Sequence, residues 1–332
     1  MTLALTVALA IAALPLEGAI TTFSLPAATG TYPQSMSPGG SIAGWYLDTN
    51  YFVRGFVRGS NGDFVLFDVP GAVGPPPMGT FPLSINKAGL VVGYFTDAQG
   101  NRQAFVRAND GSITTFGVSG AAGTVATSIN QDGVIAGYFT SAQGGPKHGF
   151  LRMPEGVFVT FDVPGAVDTE PQQINASQIL SIAATAPDGS TSAFVRTKSG
   201  EVVPIRSGQS AQTFPAGIND YATVTGSVQN ETGYVGFLWY RGLRQLFQAP
   251  GSRYTLPSAI NNLGTTAGYY VDPATRTQRG FVRTVDGILS DVAVPNCITV
   301  AIDGINDAGQ VTGHCTDLSV TPTKVVGFVG IP

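Results

Sequence analysis

One phrase, repeated at a spacing of 42 to 49 residues, constrains the fold of this chain more than any other feature. An Ile-Asn pair marks it at Ile85-Asn86, Ile129-Asn130, Ile174-Asn175, Ile218-Asn219, Ile260-Asn261 and Ile305-Asn306, with Met36-Ser37 as a degraded seventh member. A small residue followed by Phe keeps the same beat, at Phe56, Phe105, Phe150, Phe194, Phe237, Phe281 and Phe328. A unit this short cannot bury its apolar faces alone, so repeats of this period stack into an array or close into a ring.

Within the second unit, four stretches rich in Val, Ile, Thr, Phe and Tyr are bounded by turn residues. They predict antiparallel strands at 80–86, 90–96, 102–107 and 113–118. Asn-x-x-Gly joins the first two: Asn caps the turn with its side chain, and Gly takes the left-handed position. The same turn recurs at 130–133, 261–264 and 306–309, whereas Gln178 and Ala222 stand where Gly is expected. The fourth and fifth units are therefore the most diverged. The outer strand carries an apolar residue with Pro three places on, as in Phe67/Pro70, Phe161/Pro164, Phe247/Pro250 and Val292/Pro295. That motif also appears early, at Phe23/Pro26, while the last repeat runs out after its third strand. The reading is an all-β, seven-bladed β-propeller of four-stranded antiparallel blades. Residues 19–25 are expected to supply the outer strand of the C-terminal blade and close the ring. A parallel β-helix would need shorter coils and no regular hairpin turns.

Composition narrows the partners. Charged residues are 11%, against about 25% in typical soluble proteins. The 43 Gly and 22 Pro fall in register, which indicates turns in a rigid β protein rather than disorder. A net charge of −4 without a basic patch argues against nucleic acid or an anionic membrane. Residues 3–16 form an apolar run too short for a spanning helix and suited to a secretory leader. The expected organisation is a signal peptide at 1–19 and one domain at 20–332, secreted or held at the cell surface or in the periplasm. No membrane span is expected after the leader. Cys297 and Cys315 both lie in the last repeat, near the open end of one strand pair, where an oxidising compartment permits a disulfide. Two buried free thiols are the alternative.

The segments FDVPGAV (67–73), VTFDVPGAV (159–167), SINQDGVIAGYFT (128–140) and HGFLR (148–152) resemble the HAF family of probable extracellular repeat proteins. The likeness extends over nearly the whole chain after residue 19. His-Gly-Phe is intact in the third unit and becomes Arg-Gly-Phe, Gln-Ala-Phe or Val-Gly-Phe elsewhere. The resemblance implies export and a propeller-like repeat fold. It brings no catalytic residue set.

Chemistry is sparse. His148 and His314 sit in different units, without the neighbours that a metal centre or a Ser-His-Asp triad requires. Asp97, Asp188 and Asp272 lie between second and third strands, but none belongs to a calcium-loop pattern, so they read as turn residues. Arg58, Arg107, Arg152, Arg196 and Arg283 recur two places after the third-strand Phe. They read as structural, with stems over the neighbouring strand and guanidinium groups meeting Asp68 or Asp162. Thr31, Thr80, Thr124, Thr169, Thr213 and Thr255 open the inner strands as a fold feature. Glu170 and Asp303 are the acids in the inner-strand segments expected near a central channel, and so the candidate catalytic pair. Tyr51, Phe52, Tyr234 and Tyr254 are the candidate ligand-stacking aromatics. Loops 71–80, 140–148, 165–170, 251–255 and 271–278 should share one face. The favoured reading is an exported, monomeric binding or structural module with no metal or other cofactor. Its ligand would be an extracellular carbohydrate or protein. The alternative is a carbohydrate-active hydrolase or lyase with its site at the channel mouth, and a scaffold without soluble ligand is a third class.

Overall fold

The computed structural model describes residues 20–72, 78–206 and 212–332. The expected leader at 1–19 and the middle of loop 71–80 lie outside the described residues. Every regular element described is a strand, and among the described residues no helix is long and apolar enough to cross a membrane.

Each sequence unit folds as a four-stranded antiparallel meander. In the second unit the strands are Gly79–Ile85, Val91–Thr96, Arg102–Arg107 and Ile113–Phe116. Four units form separate sheets. The remaining three groups join into one mixed sheet through single parallel bridges, Val53 to Gly79 and Gly30 to Val325. The early strand Thr21–Phe23 pairs antiparallel with Lys324–Gly330, the last strand of the chain, in the register Phe23 to Gly327. Gln178 and Ala222 keep the turn conformation without Gly, at φ of 60° and 61°. A side chain in that region costs about 1 kcal/mol, which these two turns bear and their neighbours avoid.

Packing explains the small-then-Phe beat. Phe56, Phe105, Phe150, Phe237, Phe281 and Phe328 are fully buried. Each faces a second-strand glycine: Gly137 opposes Phe150, and a Cβ there would lie 2.0 Å from the Val125 carbonyl. The fourth unit trades the two sizes. Ile182, fully buried, replaces the glycine, and the opposing Phe194 is only half-buried. The apolar core lies between units rather than within them. One cluster joins Val134, Ala136, Leu151 and Val163 of the third unit to Ile174, Leu180, Ile182 and Ala184 of the fourth. Neighbour-dependent burial of this kind is what a short repeat demands.

The recurrent arginines contradict the expected carboxylate contacts. Arg107 lies over Phe67 at 5.0 Å, Arg152 over Phe116 at 4.7 Å, Arg196 over Phe161 at 4.5 Å and Arg283 over Phe247 at 4.8 Å. Each partner is the outer-strand Phe of the preceding unit. Arg58 makes the same contact at 5.0 Å with Phe23, on the strand paired to the end of the chain. A planar guanidinium stacks on an aromatic face while its stem covers apolar surface. Where the outer strand offers Ile205, the next unit carries Trp239, packed in the same cluster. Where it offers Val292, the next unit has Gly330. The carboxylates go instead to the residue two places before the Phe. Asp68 pairs with Arg54, His148 Nδ1 lies 2.9 Å from Asp162, and Arg279 lies 3.4 Å from Asp291. The two halves of the repeated phrase thus meet across the third and outer strands.

Candidate functional site

The inner strands surround a channel whose two ends differ. At the end formed by the turns between first and second strands, six asparagines link hand to hand. The side-chain amides of Asn86, Asn130, Asn175, Asn219 and Asn261 each donate to the backbone carbonyl of the next asparagine, at 3.0 to 3.2 Å. Their Oδ1 atoms accept backbone N–H groups of their own turns, as in Asn130 with Asp132 and Val134. Asn306 ends the series on Gln310 Oε1 at 2.9 Å, because Ser37 replaces the next asparagine. A second girdle follows: Gln131, Asp220, Asn262 and Asp307 accept the N–H of Lys87, Ala176, Asp220 and Asn262, at 2.8 to 2.9 Å. The cavity there is 130 Å³, and its polar groups are largely spent on one another.

At the other end every inner strand carries a bulge, and the seven bulged residues are of six types: Gln34, Leu83, Thr127, Gln172, Ala216, Ser258 and Asp303. All line a 160 Å³ cavity. A bulge re-aims a side chain out of the ladder, here into the channel. Asp303 Oδ2 lies 2.8 Å from His314 Nδ1, and the His314 ring sits 5.5 Å from that of Tyr32. Burial pushes the Asp303 carboxyl up, with His314 pulling it back. Burial opposes charge on His314, but the hydrogen bond and negative charge of Asp303 outweigh it and raise the imidazole.

The structure does not bring the candidate carboxylates together. Glu170 lines neither channel cavity and pairs with Lys147 Nζ at 2.7 Å. The aromatics also divide. Tyr51 is exposed at a turn tip in the first unit, with Phe52 half-buried beside it. Tyr234 belongs to the strand Gly233–Tyr240 of the fifth unit, half-buried between Phe214 at 5.9 Å and Tyr254 at 6.1 Å. Cys297 and Cys315 are joined by a disulfide, Cα to Cα 5.7 Å. Asp97, Asp188 and Asp272 cap their own loops by accepting N–H groups two residues on. Thr80, Thr169 and Thr255 accept N–H groups of Val69, Val163 and Ala249 at 3.0 Å, tying each inner strand to the exit of the preceding outer strand.

A larger cavity, 570 Å³, opens where the second, third and fourth units meet, at the end of the strands that carries the loops joining second to third strands. It is lined by Gly100–Arg102 and residues 143–147 from two such loops, by Ala122 and Val125, by Tyr138, and by Asp168. Arg102 and Lys147 open equivalent third strands, and each stacks on the second-strand tyrosine of its own unit. Arg102 lies 5.2 Å from the Tyr94 ring centre and Lys147 5.3 Å from that of Tyr138. Burial alone would lower the Lys147 ammonium, but Glu170 holds it above its ordinary value. Asp168 accepts the Lys147 N–H at 2.9 Å. Among the described residues no carboxylate lies within ion-pair distance of Arg102.

No protein-family model matches the chain, and no curated protein matches it. Solved structures do. The β-propeller domain of the Trilobed protease from Pyrococcus furiosus, described with an open velcro topology, is similar at a TM-score of 0.63 and 10% identity. The match covers 91% of this chain and 94% of that one. The fold is a β-propeller. A puromycin hydrolase matches at a TM-score of 0.59 and 11% identity, over 91% of this chain and 52% of its own. A prolyl endopeptidase matches at 0.58 and 11%, over 92% and 51%. The chain spans about half the length of these two hydrolases, and at such identities the likeness concerns the fold alone.

In this propeller the cavity-lining Arg102, Tyr138, Gln143 and Lys147 are the residues that sequence reasoning passed over, although loop 140–148 was among the expected binding loops. A signal was present. The position three places before the recurrent third-strand Phe is Val53, Arg102, Lys147, Thr191, Tyr234, Gln278 and Val325, so cations occur there only in the second and third units. Nothing in the spacing showed that these two would flank one cavity.

Proposed function

We propose that the chain is an exported, seven-bladed propeller closed by its early strand, and that it binds a carbohydrate in the cavity between the second, third and fourth blades. Closure is supported by the inner strands, which touch in cyclic order, including Gly30–Met36 against Cys297–Ile305. It is supported also by the cluster uniting Leu25, Ala28 and Val329 with Ile42, Tyr46 and Phe56. Export is supported by the apolar run at 3–16 and by the disulfide.

The observation that carries the binding reading is the 570 Å³ cavity itself. It falls within the range of small-ligand pockets, and it interrupts an otherwise repetitive surface. Its chemistry suits a polyol. Gln143 and the Tyr138 hydroxyl lack protein hydrogen-bond partners among the described residues, and Asp168 adds an acceptor, so donors and acceptors lie beside the apolar Val125, Val167 and Pro146. Sugar hydroxyls both donate and accept, and pyranose C–H faces pack on such apolar patches. Binding is favoured over hydrolysis because Glu170 and Asp303 do not share a cavity.

A glycan and polysaccharide array probed with the secreted protein, with product analysis of each hit, tests this reading. The expected result is retention of a glycan without cleavage, abolished by Ala122→Trp, which fills the cavity. A hit untouched by Ala122→Trp in a folded protein would place the site elsewhere.

A further inference from the structure

The cavity has a charge asymmetry that narrows the ligand class, on the premise that the cavity is the carbohydrate site. Two cations reach it from equivalent places on neighbouring blades, but their surroundings differ. Lys147 is neutralised by Glu170 at 2.7 Å, and its backbone N–H is taken by Asp168. Arg102 has only the face of Tyr94 beneath it. Its neighbour Asn101 is turned to Asp97, donating at 3.2 Å, and Asp97 is further occupied by the N–H groups of Gln99 and Asn101. Asp97 and Glu170 are therefore committed to other partners, while Asp168 keeps Oδ2 free of protein partners among the described residues. The guanidinium, exposed and with its Cζ 5.2 Å from the Tyr94 ring centre, keeps its forked N–H groups available at the cavity rim. A fork of this kind matches a planar carboxylate in two parallel hydrogen bonds.

We propose that this cavity selects hexuronate-containing saccharides, with Arg102 receiving the uronate carboxylate while Tyr138, Gln143 and Asp168 hold the ring hydroxyls. A neutral sugar would leave Arg102 solvated and gain nothing from it. A sulfated or phosphorylated sugar would meet the same fork through two of its oxygens, so the sulfated glycans of the array separate that class from the uronates.

The test is calorimetric titration of the full chain with short oligomers of galacturonate, mannuronate and glucuronate, each beside its methyl ester. Esterification keeps the ring and its hydroxyls and removes the charge. At least one acid should bind tenfold or more tightly than its ester, and the gap should shrink at 0.5 M salt. Arg102→Leu should bring acid and ester within twofold, Arg102→Lys should restore part of the gap, and Tyr138→Ala should weaken both. Melting curves confirm that each variant folds. Equal binding of acid and ester, or an acid preference that survives Arg102→Leu, overturns the assignment of Arg102. Binding of a neutral or sulfated array glycan, lost in Ala122→Trp but with no uronate binding, overturns the uronate class and keeps the cavity. Absence of any saccharide binding by the folded protein overturns both.

Discussion

The two ends of the channel are built from the same seven strands yet obey opposite rules. At the asparagine end six of the seven units present the same side chain; five of the amides are consumed by the next unit, and the carbonyl caps its own turn. At the bulge end the seven projecting residues include a glutamine, a leucine, a threonine, a serine and an aspartate. An interlocked network makes an odd member costly, because a missing amide strands its buried partner, and where Ser37 breaks the series Gln310 takes up the Asn306 amide. The bulged residues share no common contact, since Thr127 and Ser258 donate to the carbonyls of Pro171 and Ile302 while Asp303 pairs with His314, and the position is free to differ. Repetition marks what holds neighbouring units together, and variation marks where a ligand could be told apart. The 570 Å³ cavity lies at the varied end of the strands.

The contrast can be broken by experiment. The largest effect should come from deleting residues 20–26, which removes Phe23 from beneath Arg58 and the buried Leu25. A melting temperature lower by roughly 10 °C or more is expected, and an unchanged melt would refute the closed ring. Next, Asn175→Ala should cost about 2–3 kcal/mol in denaturant unfolding, since it opens one link to Asn219 and uncaps a turn. Arg196→Met should cost about 0.5–2 kcal/mol by loss of the contact with Phe161. A gain in stability would show that burying the guanidinium outweighs the stacking. Leu83→Gln, at the varied end, should stay within about 0.5 kcal/mol; a cost equal to that of Asn175→Ala would erase the distinction between the ends.

The smallest effect concerns pH. His314 is raised by Asp303, so its stabilising contribution is fully present below the ordinary imidazole value of about 6.5 and is lost as pH rises through the raised folded value. Unfolding midpoints measured from pH 6 to 9 should therefore decline in the native chain, and the decline should flatten in His314→Gln. An identical slope in the variant would remove His314 as its cause.

Much of this architecture was legible before any coordinates. The strands expected at 80–86, 90–96, 102–107 and 113–118 differ from those observed by at most two residues. Period-two alternation and Asn-x-x-Gly turns are local, and local patterns report local structure. The role of Arg58 and its equivalents was misread for the complementary reason. Asp68 and Asp162 are near in sequence terms, but the partner ring belongs to the preceding unit, and only the stacking of units brings it there.

The order of strands, the turn chemistry and the small-then-Phe packing belong to the sequence, because each depends on residues within one repeat. The channel with its unlike ends, the arginine stacks, the separation of Glu170 from Asp303 and the cavity beside Arg102 were decided by tertiary structure. All of them arise between repeats, where residues of neighbouring units far apart in the chain meet through rigid-body packing that no periodicity encodes.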